Sequence, residues 1–75
     1  MNKKEFMLLI DDICDVDLGT ISDNDSLSNT VLFDSIAMLG LIAMLDKKFG
    51  LSFSVDDLNK HDTVGNLFDN VIAQL

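Results

Sequence analysis

The C-terminal stretch, residues 62–75, reads DTVGNLFDNVIAQL and decides the fold class. Its apolar side chains recur at intervals of three and four residues, which is the period of one face of an α-helix. They are Val64, Leu67, Phe68, Val71, Ile72 and Leu75. Asp62 and Thr63 stand just before this pattern, where polar residues of their kind begin helices. The spacing therefore predicts an amphipathic last helix.

Working outward from this stretch, the same spacing predicts two further long helices. Residues 3–15 form the first, and its core stripe comprises Phe6, Leu9, Ile10 and Ile13. The second is predicted from Asp34-Ser35 to about Phe49, because Asp34 is a good N-cap and Gly50 favours a left-handed end. The core stripe expected for this second helix comprises Ile36, Leu39, Ile42 or Ala43, and Phe49.

A short helix and a long loop complete the predicted architecture. Residues 54–57, Ser-Val-Asp-Asp, resemble a capping box and predict a short third helix. Residues 16–34 are rich in turn formers, and we expect four apolar residues to pin them to the core: Leu18, Ile21, Leu27 and Val31. The prediction is an all-α fold, a small four-helix bundle with three longer helices, one short helix and a long loop between helices one and two. We expect residues 1–75 to form a single domain.

Composition and charge exclude several classes of function. The chain has 75 residues and a net charge of −8, and 48% of its residues are hydrophobic, which excludes an acidic disordered tail. It contains no arginine and only five lysines, so no basic stripe exists to bind nucleic acid. A core this small leaves little room for a deep active site, and a binding or carrier module is expected rather than an enzyme.

Cysteine usage and the N-terminal residues indicate the compartment. Cys14 is the only cysteine, which excludes an internal disulfide and a multi-cysteine metal site. The apolar run over residues 7–10 is too short for a signal-peptide core or a membrane span. We therefore expect a cytoplasmic protein that does not insert into membranes.

The remaining chemical candidates are weak. His61 is the only histidine and is expected to be a surface residue beside a helix cap, while Cys14 is expected to be a small, half-buried hydrophobe. Asp23 and Asp34 are the first and last of twelve residues, as in a calcium-binding EF-hand loop. Leu27 and Ser28 stand where that loop needs a ligand and a glycine, which excludes an EF-hand but not weak calcium binding.

The pair Asp34-Ser35 is more informative because of its position. A serine in the first turn of a helix faces unpaired backbone N–H groups and the positive end of the helix dipole. A phosphate attached to the Ser35 hydroxyl would be stabilised there, as anions are at helix N-termini.

At these residues the chain resembles the acyl carrier protein family, over essentially its whole length. Leu32-Phe33-Asp34-Ser35-Ile36 is similar to the signature with which that family opens its second helix. Further similarities are the core leucines Leu39 and Leu45, the helix end Phe49-Gly50-Leu51, the short helix over residues 54–58 and the last helix after Asp62-Thr63-Val64.

The resemblance implies a carrier that is not itself an enzyme. Ser35 would bear 4′-phosphopantetheine, transferred from coenzyme A by a phosphopantetheinyl transferase, and Asp34 would assist that metal-dependent transfer. The arm's thiol would hold acyl groups as thioesters for acyl-transferring or acyl-activating enzymes of its pathway. We also expect the protein to be a monomer.

Helix two departs from the pattern of fatty-acid carriers because it has no charge between Ser35 and Asp46. Its second apolar stripe predicts a hydrophobic docking face, and the acids of helix three are expected to add to it. The expected partner-binding residues are Ile36, Met38, Leu41, Met44, Asp56 and Asp57. The alternative is that the methionines and Leu41 fill a loose core. The other acids, near the end of helix one and in the loop, are expected to form a solvated face; they are Asp11, Asp12, Asp15, Asp17, Asp23 and Asp25.

A neutral second helix favours a specialised pathway, such as polyketide, aminoacyl or surface-polymer chemistry. The alternative within the same class is the carrier of primary fatty-acid synthesis. From another class, a small acidic helical adaptor without a prosthetic group remains open.

Overall fold

A computed structural model describes residues 2–75 and contains four α-helices. They are α1 (Lys3–Ile13), α2 (Ser35–Phe49), α3 (Val55–Asn59) and α4 (Val64–Ala73). The connection between α1 and α2, residues 14–34, is much longer than the other two. The predicted small all-α bundle with one short helix is confirmed. Within residues 2–75 no helix is both long enough and apolar enough to cross a membrane.

Each helix begins where a polar side chain accepts a backbone N–H. The Asp34 carboxylate caps α2, and the reciprocal bonds of Ser54 and Asp57 form the predicted capping box of α3. Thr63 caps α4. Gly50 ends α2 with φ of 67°, the left-handed conformation that glycine adopts without strain. These helix limits agree with the sequence predictions.

The first helix ends two residues earlier than predicted. Asp15 has φ of 56°, and the N–H of Val16 turns back to donate to the Asp11 carbonyl at 3.1 Å. A left-handed residue cannot continue a right-handed helix, so the chain leaves α1 after Ile13.

The core is centred on Phe6 of α1, which is fully buried. Its ring lies edge-on to Phe68 of α4 at 5.1 Å between centroids, and 6.3 Å from Phe49 of α2. Val64, Leu67 and Val71 of the α4 stripe are buried, as predicted. Ile72 and Leu75 of the same stripe are exposed, and Leu75 lies beyond the end of α4 at Ala73.

The predicted orientation of α2 is wrong. The residues expected in its core stripe are mostly exposed or half-buried, while the opposite stripe is buried: Ala37, Met38, Leu41, Met44 and Leu45. Both stripes are apolar, so the sequence contains no polar face to orient the helix. The approach to α1 is close at Gly40, where a Cβ atom would lie 3.0 Å from Ile13 Cγ2. The close packing of α1 explains why residue 40 is a glycine.

The long connection is anchored to the core, but only partly by the residues predicted. Ile21 and Leu27 are buried, whereas Leu18 and Val31 are exposed, and Phe33 is the third buried anchor. Leu18 and Val31 lie in turns, and the spacing of apolar residues does not predict whether a side chain in a turn faces the core or solvent.

Asp11 is a buried carboxylate that fixes the first part of this connection, which corrects its expected place on a solvated face. It has no exposed surface. Its Oδ2 accepts the N–H of Gly19 at 2.7 Å, and its Oδ1 accepts the N–H of Ile21 at 2.9 Å. A buried carboxylate is tolerated because both of its oxygens are hydrogen-bonded.

The later part of the connection is attached to the start of α4. Ser26 and Thr63 form an isolated antiparallel bridge. The N–H of Leu27 donates to the Asp62 carbonyl at 3.2 Å, and the N–H of Val64 donates to the Asp25 carbonyl at 3.0 Å. These bonds hold residues 25–27 beside residues 62–64, next to the start of α2.

Candidate functional site

Ser35 is the first residue of α2, and its side chain is exposed. The helix cap is provided by its neighbour, since Asp34 Oδ1 accepts the N–H of Ala37 at 2.9 Å. A serine that capped the helix would need its hydroxyl for that bond. The Ser35 hydroxyl is therefore accessible and is not the acceptor that starts the helix.

The start of α2 is held firmly by the residue that precedes the cap. Phe33 is buried, and its N–H donates to the Asn29 carbonyl at 2.8 Å. The helix then continues with the N–H of Met38 donating to the Asp34 carbonyl at 2.9 Å. Ser35 is thus an exposed residue on a rigid support.

The electrostatic setting of Ser35 favours an anion. The positive end of the α2 dipole points at this position, and the carboxylate already there is that of the cap, Asp34, which accepts the N–H of Ala37. The two lysines of α2, Lys47 and Lys48, lie in its last turn, where they complement the negative end. A phosphoryl group on the Ser35 hydroxyl would meet the first N–H groups of the helix.

An open groove with a volume of about 780 Å³ adjoins Ser35. The connection, α2, α3 and the α3–α4 turn all contribute to its lining. The lining residues are Ser26, Leu27, Ser28, Thr30, Phe33, Asp34, Ser35, Met38, Leu39, Val55, Asn59, His61 and Asp62. Nine of these thirteen residues lie within residues 26–39, and the fold brings the other four, from residues 55–62, beside them.

The exposed apolar surface near Ser35 differs from the one predicted. Ile36 is 80% exposed, as a docking residue must be, and it is joined by Leu39 at 63% and Val55 at 43%. Leu39 and Val55 also line the groove. The helical spacing predicts Leu39 in the core, which is wrong, and α3 is too short for a spacing pattern that would predict the exposure of Val55.

Three of the expected docking residues are in the core instead. Met38, Leu41 and Met44 are buried, so the prediction that they form an exposed face is wrong and the loose-core alternative is correct for them. They occupy the side of α2 that faces the rest of the bundle, because the tertiary packing selects that side.

The two acids expected on α3 have different settings. Asp56 is exposed in the first turn of α3. Asp57 is half-buried, and its Oδ2 accepts the N–H of Ser54 at 3.0 Å. The bonds from the Ser54 backbone and hydroxyl hold the pKa of the Asp57 carboxyl below its ordinary value. Asp57 is thus part of the structure of α3, while Asp56 is free to meet a partner.

His61 and Cys14 are placed close to expectation. His61 is half-buried at the edge of the groove, with its ring 6.5 Å from that of Phe53. Cys14 is also half-buried, and burial, together with the carboxylates of Asp11 and Asp34, raises the pKa of its thiol to about 11. The thiol is therefore protonated at neutral pH and a poor nucleophile.

The aspartates of the long connection serve local structure. Asp23 pairs with Lys3 at 3.0 Å, which lowers the pKa of the Asp23 carboxyl, and Asp25 Oδ2 accepts the N–H of Ser22 at 2.8 Å. In the part of the chain that the structure describes, no three side chains of the metal-binding types come together.

Comparison with known families supports the resemblance of the chain as a whole. The profile of the family described as "Phosphopantetheine attachment site" matches residues 5–71, which is most of the chain. A comparison with curated proteins finds no significant match. Members of the matched family carry a covalently attached 4′-phosphopantetheine and are carriers rather than catalysts. The chain belongs to this family and is an acyl carrier protein family member.

Proposed function

We propose that Ser35 is the residue to which the 4′-phosphopantetheine arm is attached, and that residues 1–75 act as one acyl carrier domain. The observation that carries this proposal is the exposed Ser35 hydroxyl at the first position of α2, which is not needed to cap the helix because Asp34 caps it. Asp34, Ser35 and Ile36 are all exposed, so a modifying enzyme can reach the hydroxyl.

The residues at this position fit the group. The first turn of α2 offers backbone N–H groups and a positive dipole to a phosphodiester, beside the Asp34 carboxylate that accepts the N–H of Ala37. When bound, the arm supplies a thiol that holds acyl groups as thioesters. Tethering raises the concentration of the cargo at a partner enzyme without catalysis by the carrier.

Asp34 is proposed to assist the metal-dependent transfer to Ser35. Its carboxylate is exposed, and only Oδ1 is needed for the helix cap. Asp34→Asn retains a capping oxygen but removes the charge. We expect this variant to keep its thermal stability while its rate of modification falls. An unchanged rate would show that Asp34 is only a cap.

The attachment site is tested by intact mass after incubation with coenzyme A and a promiscuous phosphopantetheinyl transferase. The wild type and Ser52→Ala should each gain one phosphopantetheine, and Ser35→Ala should gain none. Ser52 is a matched control because it is also an exposed serine, in the turn before α3. A gain in Ser35→Ala would refute the site. No gain in the wild type with several transferases would favour the adaptor without a prosthetic group.

We further propose that the carrier serves a specialised pathway in the cytoplasm, as a monomer. The surface of α2 from Ser35 to Ala43 exposes Ile36 and Leu39 and no charged side chain. Partners would thus meet an apolar centre, with Asp56 and Asp57 as the nearby acids of α3. Phosphopantetheinyl transferases and the acyl-transferring or acyl-activating enzymes of the pathway are the expected partners.

Complementation separates the specialised carrier from the housekeeping one. We expect this chain to fail in a strain that lacks its fatty-acid carrier, even when it is fully modified with phosphopantetheine. Growth of the complemented strain would instead assign the chain to primary fatty-acid synthesis.

A further inference from the structure

We propose that Asn29 is a positioning residue for the modification of Ser35. Its side chain holds the turn over residues 29–33 closed, and the phosphopantetheinyl transferase binds the chain in that closed form. This inference rests on the proposed attachment of the arm at Ser35. It adds a residue of the long connection that acts through the backbone leading into α2.

Asn29 joins three hydrogen bonds just before α2. Its N–H donates to the Ser26 carbonyl at 3.2 Å, and its own carbonyl accepts the N–H of Phe33 at 2.8 Å. Its side-chain Oδ1 accepts the N–H of Val31 at 3.1 Å, which is the bond of an Asx turn. The first two bonds use backbone atoms that every residue has, whereas the third depends on the asparagine side chain.

These bonds connect an anchored segment to the start of α2. Ser26 lies in the antiparallel bridge with Thr63, and Phe33 is buried. Asp34 follows Phe33 and caps α2, and Ser35 is the first residue of the helix. The turn over residues 29–33 therefore forms the surface that directly precedes the residue to be modified, and a transferase at Ser35 meets it.

Burial does not hold the middle of this turn in place. Val31 is 88% exposed, the highest value among the large exposed apolar side chains of residues 2–75, and Thr30 is exposed as well. Within the same residues, the bond to Asn29 Oδ1 is the only hydrogen bond that residues 30–32 form. The Asn29 side chain is therefore the one polar contact that keeps this part of the chain closed.

Loss of that bond should open the turn without unfolding the protein. The Asn29 side chain is exposed, so its removal leaves no cavity in the core. An open turn must be ordered again when the transferase binds, because only the closed form is competent. The KM for the chain then rises in inverse proportion to the closed fraction, while kcat at saturation stays the same.

The chemical step itself does not involve Asn29. The Ser35 oxygen attacks the phosphorus of coenzyme A that bears the pantetheine and forms the new P–O bond. The bond from that phosphorus to the adenosine bisphosphate breaks, and the hydroxyl proton passes to a base of the transferase. Asn29 therefore acts on binding, and its effect should appear in KM and not in kcat.

The test measures kcat and KM of a promiscuous phosphopantetheinyl transferase at saturating coenzyme A, with the full chain as the varied substrate and intact mass as the readout. Asn29→Ala removes the acceptor, and Asn29→Gln carries the amide one methylene too far for the Asx turn. We expect both variants to raise KM about three- to tenfold, the effect of one hydrogen bond, with kcat unchanged. Asn29→Asp keeps Oδ1 in place and should restore the wild-type KM.

Asn24→Ala is the matched control. Asn24 is also an exposed asparagine of the connection, and within residues 2–75 its side chain forms no hydrogen bond. This variant should keep the wild-type KM. Amide exchange at Val31, followed by NMR, should accelerate in Asn29→Ala and Asn29→Gln alone. The midpoint of urea unfolding should stay close to that of the wild type in every variant.

Three outcomes would overturn the proposal. A wild-type KM in Asn29→Ala would show that the turn does not control binding of the transferase. A wild-type KM in Asn29→Gln alone would mean that the amide contacts the transferase instead of closing the turn. A raised KM in Asn29→Asp with the Val31 amide still protected would separate the turn from the modification. In each case Ser35 is still modified, whereas failure to modify the wild type would refute the proposed function itself.

Discussion

Replacing Asp11 with alanine tests the most consequential interaction that the structure reveals. The Asp11 carboxylate is fully buried and accepts two backbone N–H groups, from Gly19 and Ile21, at 2.7 and 2.9 Å. Asp11→Ala removes both acceptors and leaves the N–H of Ile21 buried without a partner. The connection that leads to Ser35 would lose its first anchor.

The expected loss is large relative to the whole stability of the chain. A hydrogen bond to a charged group contributes about 1.5–3 kcal/mol, and relief of the buried charge offsets part of the two bonds. We expect Asp11→Ala to lower the free energy of unfolding by about 2–4 kcal/mol, against a total of roughly 4–11 kcal/mol for a chain of this length. Asp11→Asn can accept only one of the two N–H groups and should lose about half as much.

The assay is urea unfolding followed by helical circular dichroism, because the chain has no tryptophan or tyrosine for fluorescence. Asp12→Ala is the matched control, since Asp12 is the exposed neighbour and should change stability by no more than about 0.5 kcal/mol. Amide hydrogen exchange at Gly19 and Ile21 should accelerate in Asp11→Ala alone. If Asp11→Ala and Asp12→Ala are equally stable, the Asp11 carboxylate does not anchor the connection.

Three further predictions follow from single residues. Gly50→Ala should lower the free energy of unfolding by about 1 kcal/mol, because the left-handed φ of 67° strains alanine; unchanged urea unfolding would contradict this. At neutral pH Cys14 should react with a thiol reagent far more slowly than the arm's thiol, and its reaction should become faster as the pH approaches its pKa of about 11. Mass spectrometry with Cys14→Ala as control identifies the labelled thiol. The folded-state pKa of the Asp57 carboxyl lies below its ordinary value of 3.8, so its stabilisation of α3 is present above that pH and is lost as the pH falls through the folded-state pKa. Asp57→Asn should therefore flatten the acid limb of the plot of unfolding free energy against pH. A plot identical to that of the wild type would refute this.

The capped starts of α2, α3 and α4, the end of α2 and the position of Ser35 at the start of α2 could be predicted from the sequence, because they depend on local chemistry. Asp34, Ser54 and Thr63 cap helices through bonds to residues only three positions away. Gly50 ends α2 through its own backbone freedom. Such signals need no knowledge of the rest of the fold.

The side of α2 that is buried could not be predicted in this way. Met38 and Leu39 are both apolar, yet Met38 is buried and Leu39 is largely exposed. An apolar side chain in the core and one at a binding surface look alike in a sequence, and the packing of α1 against Gly40 decides between them. Three of the four α2 residues of the predicted docking face, Met38, Leu41 and Met44, therefore lie on the buried side of the helix, while Ile36 is exposed.

By itself, the sequence determined the number and order of the helices, the capped starts of α2, α3 and α4, the end of α2, and the position of Ser35 at the start of α2. The tertiary structure decided which side of α2 faces solvent, the burial of Asp11 and the joining of residues 26–28 to residues 61–62 in the groove. The physical reason is the distance along the chain over which each interaction acts. Caps and helical periods act over a few residues, whereas burial and grooves depend on contacts between distant segments, which become definite only when the chain is packed.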